Sequence, residues 1–225
     1  MSHAIEIKDV YKSYGSTLAL RGIDLTIKKG EIVAIMGPSG SGKSTLMHCM
    51  AGIFLPDKGQ VMFADKDLAK LTDNERTTLR RTDFGFVFQF GQLVPELSAI
   101  DNVALPLILG GMKRTDAHEK AKPWFVKLHL EGLEERTSAE LSGGQAQRVA
   151  IARALVSEPQ VIFADEPTGS LDSLSGERVM ELMTSLAREN NVTVVIVTHE
   201  PRVAAYADRE VIVRDGKVAG KAAHV

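Results

Sequence analysis

Ile32-Val33-Ala34-Ile35-Met36 runs straight into Gly37-Pro38-Ser39-Gly40-Ser41-Gly42-Lys43-Ser44. Five apolar residues in succession predict a strand buried on both faces, as parallel sheets require. The next eight fit the G-x-x-x-x-G-K-S phosphate loop without a mismatch. Its glycines let backbone N–H groups turn inward around an anion, and a helix predicted from Lys43 onward aims its positive end at the same point. Lys43 reaches the outer phosphates, and Ser44 offers a hydroxyl to Mg²⁺. Thr45, in the first helical turn, is expected to bind the nucleotide together with 37–44. A Gly-Ser loop that merely caps a helix is the competing explanation, and the buried strand before it argues against that.

Further along, two more apolar runs at 161–164 and 192–197 flank a helix predicted over 173–189. Strand, helix, strand implies a parallel α/β sheet. The first run ends in Asp165-Glu166, two carboxylates at a strand's C-terminal end, where α/β sheets bind ligands. Asp165 suits a Mg²⁺ shell, and Glu166 is placed to polarise an attacking water. Before the loop, alternation through Ile5, Ile7, Leu18, Leu20, Ile23, Leu25 and Ile27 predicts antiparallel strands with a turn at Gly22. The chain closes on a predicted hairpin over 210–220 with an Asp215-Gly216 turn. Residues 92–156 read as mostly helical, with breaks at Gly110-Gly111, Gly132 and Ser142-Gly143-Gly144, and a charged solvent face over 114–127. The expected organisation is one domain over 1–225. Its core is 1–90 plus 160–225 with an N-terminal antiparallel β subdomain, and a helical subdomain spans about 91–159.

The 225 residues carry 27 Lys+Arg against 29 Asp+Glu, so no basic footprint for nucleic acid is present. The single cysteine, Cys49, excludes an internal disulfide and fits packed core in a reducing compartment. No signal-peptide core and no span-length apolar run is visible, so a soluble cytoplasmic protein is expected, with any membrane role through a partner. Asn-Lys-x-Asp and Thr-Lys-x-Asp are absent, which argues against guanine selectivity.

Leu141-Ser142-Gly143-Gly144-Gln145, opening a helix, is a second anion surface: two glycines expose N–H groups and Ser142 adds a hydroxyl. Two phosphate-directed surfaces in different parts of one chain suggest a nucleotide gripped by the loop of one copy and the Ser142 stretch of its twin.

Over essentially its whole length the sequence resembles the nucleotide-binding subunit of an ATP-binding cassette (ABC) transporter, and 141–145 matches that family's signature. The resemblance implies a P-loop NTPase core of RecA-like type, ATP and Mg²⁺ as ligands, a head-to-tail ATP-sandwich dimer, and membrane permease subunits as partners. By the same resemblance Gln89 touches Mg²⁺ and the attacking water, and Asp172 crosses the dimer interface. His199 hydrogen-bonds the γ-phosphate, and adenine stacks on Tyr14, with Tyr11 as competitor. Pro95, the stretch 102–107 and the stretch 165–173 resemble the lipoprotein-release, macrolide-export, haem-export and antimicrobial-peptide-resistance branch, which implies export. A regulator of cell-envelope enzymes acting through a membrane partner is the alternative. Phe90, Leu93, Val94, Pro95, Leu97 and the run 105–109 are expected to supply a groove for a permease helix, with packing of the helical lobe as the competing use.

Overall fold

The computed structural model describes residues 3–89 and 91–219. Strands β1 (His3–Tyr14) and β2 (Thr17–Lys28) form a hairpin, followed by β3 (Ile32–Met36) and helix α1 (Lys43–Met50). Then come β4 (Lys58–Phe63), β5 (Lys66–Asp67), α2 (Asp73–Thr82) and β6 (Phe84–Phe88). Helices α3 (Ala99–Leu109), α4 (Arg114–Lys127) and α5 (Gly143–Leu155) follow. The chain returns through β7 (Val161–Asp165), α6 (Ser173–Glu189), β8 (Thr193–Thr198), α7 (Pro201–Ala204), β9 (Arg209–Arg214) and β10 (Lys217–Val218). Phe90 and Gly220, both named in the expectations above, lie outside the described residues.

Two sheets organise these elements. One is four-stranded and antiparallel, β2-β1-β4-β5, and the other six-stranded, β10-β9-β3-β8-β7-β6, parallel except for β10. The period of two along each central strand distributes the core. Val33, Ile35, Val195, Val197, Val161 and Phe163 face α1 and the antiparallel sheet. Ile32, Val194, Ile196, Ile162 and Ala164 face α3, α5 and α6. The central strands β3, β7 and β8 are thereby covered on both sides, which is why their sequences read as unbroken apolar runs, whereas β9 leaves Glu210, Ile212 and Arg214 exposed.

Gly22 is not a turn. β2 continues through it, and the pairing steps from Val10↔Ile23 to Tyr11↔Arg21, so Gly22 is the extra residue of a bulge. Its φ is +77°, and a Cβ there would lie 2.8 Å from the Tyr11 hydroxyl. The hairpin turn is instead at Gly15-Ser16. Gly143 and Gly144 open α5 behind the N-cap Ser142, as the sequence reading expects.

The helical lobe is pinned by Asp101. This buried carboxylate of α3 accepts from Arg114 Nε (2.9 Å) and Nη2 (2.6 Å), His118 Nε2 (2.8 Å) and Ser98 Oγ (3.0 Å). Burial pushes its pKa up, but the bonds from Arg114, His118 and Ser98 outweigh burial and hold it below the ordinary range. Asp101→Ala leaves these donors without their acceptor and is expected to destabilise the chain by about 1–3 kcal/mol. A urea midpoint equal to wild type would show that the cluster contributes nothing.

Candidate functional site

The 37–44 loop leaves β3 and enters α1. Gly42 is the residue before the helix; its φ of +103° is left-handed, and a Cβ there would lie 2.6 Å from the Ala19 carbonyl oxygen, so glycine is required. No side chain caps α1 and no acidic residue occupies its first turn, which leaves the positive helix end open to an anion. Pro38, Ser39 and Gly40 form the exposed crest, while Ser41 is buried with no hydrogen-bond partner for its Oγ among the described residues. Lys43 folds back over the loop, its buried ammonium donating to the carbonyls of Gly37 (2.8 Å) and Pro38 (2.9 Å). An ammonium has three N–H groups, so one remains for a phosphate oxygen. Thr45 is half-buried one residue further into α1.

Asp165 ends β7, and its Oδ1 lies 3.5 Å from the Ser44 hydroxyl on α1. Burial raises the Asp165 pKa, partly countered by Ser44, His48 and Lys43. Hydroxyl and carboxylate oxygens here are hard donors suited to Mg²⁺. Phe88 pairs in register with Asp165, so Gln89 emerges beside that carboxylate's strand end. The Gln89 side chain packs against Gly169, where a Cβ would lie 2.8 Å from Nε2. Three further groups hold this segment: Ser170 Oγ donates to the Gln89 carbonyl (2.5 Å), Gln147 Nε2 to that of Phe88 (2.8 Å), and Arg153 to those of Gly91 (2.7 Å) and Gln92 (2.9 Å).

Glu166 adopts φ +47°, uncommon for a non-glycine residue and typical of functional turns. Its N–H is tied to the Val197 carbonyl (2.9 Å), which turns the carboxylate toward the end of β8. There Oε2 accepts from Thr198 Oγ1 (3.1 Å) and Oε1 lies 2.7 Å from His199 Nδ1. That bond, with the charge of Glu166, raises the pKa of the exposed His199 ring.

Ser142 caps α5. Its Oγ accepts from Gln145 N–H (3.3 Å) while Gln145 Oε1 accepts from Ser142 N–H (2.8 Å), a reciprocal capping box that leaves the Ser142 O–H free to donate. Asp172 caps α6 through Ser175 N–H (3.0 Å), and its bonds to Ser175 depress its pKa. These two helix starts are neighbours: a Cβ on Gly143 would meet Leu171, and one on Gly144 would meet Ser175. Among the described residues no hydrogen bond joins Ser142, Gly143, Gly144 or Gln145 to the 37–45 loop. Lys43, Ser44, Asp165, Gln89, Glu166 and His199 thus gather along the C-terminal edge of the parallel sheet, and the Ser142 and Asp172 stretches form a separate surface.

Tyr14, at the end of β1, is 45% exposed, with its ring edge-to-face on Phe54 at 6.0 Å between centroids. Tyr11 is engaged elsewhere, under Lys58 Nζ (4.9 Å) and against Gly22. Cys49 is buried, and burial raises its thiol pKa to about 11, so it is inert packing. Between the lobes a cavity of about 420 Å³ is lined by Ile53, Phe86, Phe88, Leu105, Pro106 and Arg153 among others. Of the residues expected at a groove, Leu105 and Pro106 line it, whereas Leu93, Leu107 and Ile108 pack onto the core of the helical lobe. Val94 bonds Asn102 through both its N–H and its carbonyl. Apolarity alone cannot separate a groove wall from core packing, since both bury the same side-chain types. Phe54 and Arg153 escaped the sequence reading, and Gln147, Ser170 and Thr198 entered it only as neighbours of Gln145, Asp172 and His199, with no role of their own.

A family model described as "ABC transporter" matches residues 20–169. The lipoprotein-releasing system ATP-binding protein LolD of Shewanella sp. (strain MR-7) is 44% identical over 227 residues, 98% of this chain and 97% of that protein. The macrolide export ATP-binding/permease protein MacB of Marinobacter nauticus is 47% identical over 221 residues, 95% of this chain but 34% of that longer protein. A dimeric structure of the ATP-binding cassette MJ0796 in a post-hydrolysis state, bound to ADP and Pi, is 41% identical with a TM-score of 0.88 over 98% of both chains. Among the described residues no helix is long and apolar enough to cross a membrane.

Proposed function

We propose a role for this chain from one premise: it belongs to the ABC transporter family of ATP-binding proteins, and it is an ATP-hydrolysing subunit of that kind. The work of hydrolysis is passed to a separate membrane permease that exports a hydrophobic or amphiphilic cargo, of the lipoprotein, antibiotic, peptide or haem type. LolD and MacB relatives of similar sequence favour this branch. The protein then lies at the cytoplasmic face of the membrane, held there by the permease.

One observation supports the assembly. The loop at 37–45 and the Ser142 stretch are both built for phosphate, yet among the described residues no bond links them within a chain. A second copy, head to tail, supplies the missing half of each site. ATP lies with adenine on Tyr14 and its phosphates in the loop, where inward N–H groups and Lys43 hold them. Ser44, Asp165 and Gln89 would hold Mg²⁺, which neutralises charge on the β- and γ-phosphates. From the partner, Ser142 O–H and the N–H groups of Gly143 and Gly144 face the γ-phosphate, with Gln145 keeping Ser142 in place and Asp172 at the seam. Glu166 orients the water and accepts its proton. His199 donates a hydrogen bond from Nδ1–H to Glu166 and keeps that proton, so a doubly protonated ring also has Nε2–H for a phosphate oxygen; the raised pKa favours that form. Light scattering of the isolated chain with and without ATP tests the dimer, and hydrolysis at full rate by a strict monomer would refute it.

The cavity between the lobes is the docking place for a cytoplasmic helix of the permease. It is mostly apolar, and Arg153 in its wall also holds the loop that follows Gln89. Leu105→Glu sets a carboxylate in this wall, where a docked apolar helix would have to bury it, and is expected to abolish transport while hydrolysis by the isolated chain and ATP affinity stay within about twofold of wild type. Transport at the wild-type level would put the docking place elsewhere.

A further inference from the structure

Glu166, His199 and Glu200 each bring one possible ligand atom within 4.8 Å of the others. His199 is exposed to solvent and both glutamates are half-buried. One buried hydroxyl organises the group: Thr198 Oγ1 donates to Glu166 Oε2 at 3.1 Å and accepts the N–H of Glu200 at 3.1 Å. The imidazole is already turned inward, with Nδ1 2.7 Å from Glu166 Oε1. Among the described residues the Glu200 side chain makes no hydrogen bond or ion pair that would compete for it.

We propose that Glu166, His199 and Glu200 form a Zn²⁺ site of the nucleotide-free chain, and that an ion bound there switches hydrolysis off. One imidazole and two carboxylates are a borderline donor set, which selects Zn²⁺ over the all-oxygen preference of Mg²⁺. Tetrahedral zinc with bonds of about 2.0–2.1 Å sets its ligand atoms about 3.3–3.4 Å apart. The Nδ1–Oε1 pair therefore opens by roughly half an ångström and Glu200 closes in, movements open to an exposed ring and a free carboxylate. Water completes the fourth position. Thr198 supplies the outer hydrogen bond that fixes a metal-binding carboxylate.

The consequence for turnover, though not the binding, rests on the ATPase reading above. Zinc occupies the carboxylate that orients water and the ring that faces the γ-phosphate. The 37–45 loop is left alone, so nucleotide still binds and hydrolysis stops.

The test uses chelator-stripped, nucleotide-free protein titrated with zinc chloride in a calorimeter, and with cobalt chloride for the visible bands of tetrahedral Co²⁺. The same titrations follow on Glu200→Gln and Glu200→Asp, alongside ATP hydrolysis with and without zinc. The expected result is one ion per chain, bound about tenfold or more weakly in both variants. Zinc inhibition falls by the same factor, while zinc-free turnover and ATP affinity hold. Absence of binding, or binding unchanged in both variants, overturns the site. Hydrolysis that continues with zinc bound overturns the switch. Wild-type protein that takes up zinc through Glu200 yet never hydrolyses ATP supports the site and refutes the ATPase reading.

Discussion

Glu166→Gln is expected to bind ATP as well as wild type, to accumulate as a dimer, and to turn over about 10²–10⁴-fold more slowly. That range is the usual contribution of a positioned general base. The carboxamide keeps the size of the side chain, and the bond from Glu166 N–H to the Val197 carbonyl holds the φ +47° turn whatever the side chain is. Thr198 Oγ1 can still donate to the amide oxygen. What disappears is the capacity to take a proton from water. Because the Ser142 stretch and the 37–45 loop are unaffected, ATP still draws two copies together, and with hydrolysis blocked they remain so. Single-turnover hydrolysis and light scattering on the same sample read both effects. Hydrolysis near the wild-type rate would mean that another group prepares the water.

The second large effect separates a shared site from a self-contained one. Lys43→Ala removes the ammonium that the Gly37 and Pro38 carbonyls hold over the loop, and each such loss of a positioned charge costs about 10²–10³ in rate. Ser142→Glu sets a carboxylate where a γ-phosphate would approach, and like charges in a water-poor site repel strongly. Each variant alone is expected to be nearly inactive. Mixed in equal amounts, half of the dimers contain one of each. In those, both defects fall in one site, and the other site takes an intact loop and an intact Ser142 stretch. Recovery to roughly a quarter of wild-type activity is expected if the two sites work independently. No recovery beyond the sum of the separate variants would show that each chain uses its own Ser142 surface, and the head-to-tail arrangement would fall.

Elements with strong local signals were legible before any coordinates. The run at 161–164 ends in its acidic pair as β7, and α4 and α6 occupy 114–127 and 173–189. Between the helix after the phosphate loop and residue 92 no element was read, although Gln89 was named by resemblance, and β4, β5, α2 and β6 lie there. Signals for α2 were present: Thr72 and Glu75 close a capping box, Glu75 Oε2 accepting from Thr72 N–H at 2.7 Å. That helix buries little beyond Leu79, so it has almost no apolar stripe to mark its period. β5, with two residues, is too short to show any period.

Bonds between residues near in sequence write themselves into spacing, and bonds between distant ones do not. Gly37 to Ser44 could be recognised as a phosphate loop because strand, glycines, lysine and helix start all fall within a few residues. Ser142-Gly143-Gly144-Gln145 was recognisable for the same reason. The contact of Glu166 with His199 spans 33 positions, and that of Ser44 with Asp165 spans 121; both exist because β3, β7 and β8 lie side by side and end at the same level. Likewise Gly22 could be read as a turn until Tyr11, from the neighbouring strand, came to rest against it. Among the described residues the fold also leaves the Ser142 stretch with no hydrogen bond to the loop it resembles in chemistry. Local steric and capping preferences act over a turn or two of chain, whereas which strand ends meet depends on how two faces of one sheet are covered, and packing of the whole chain sets that.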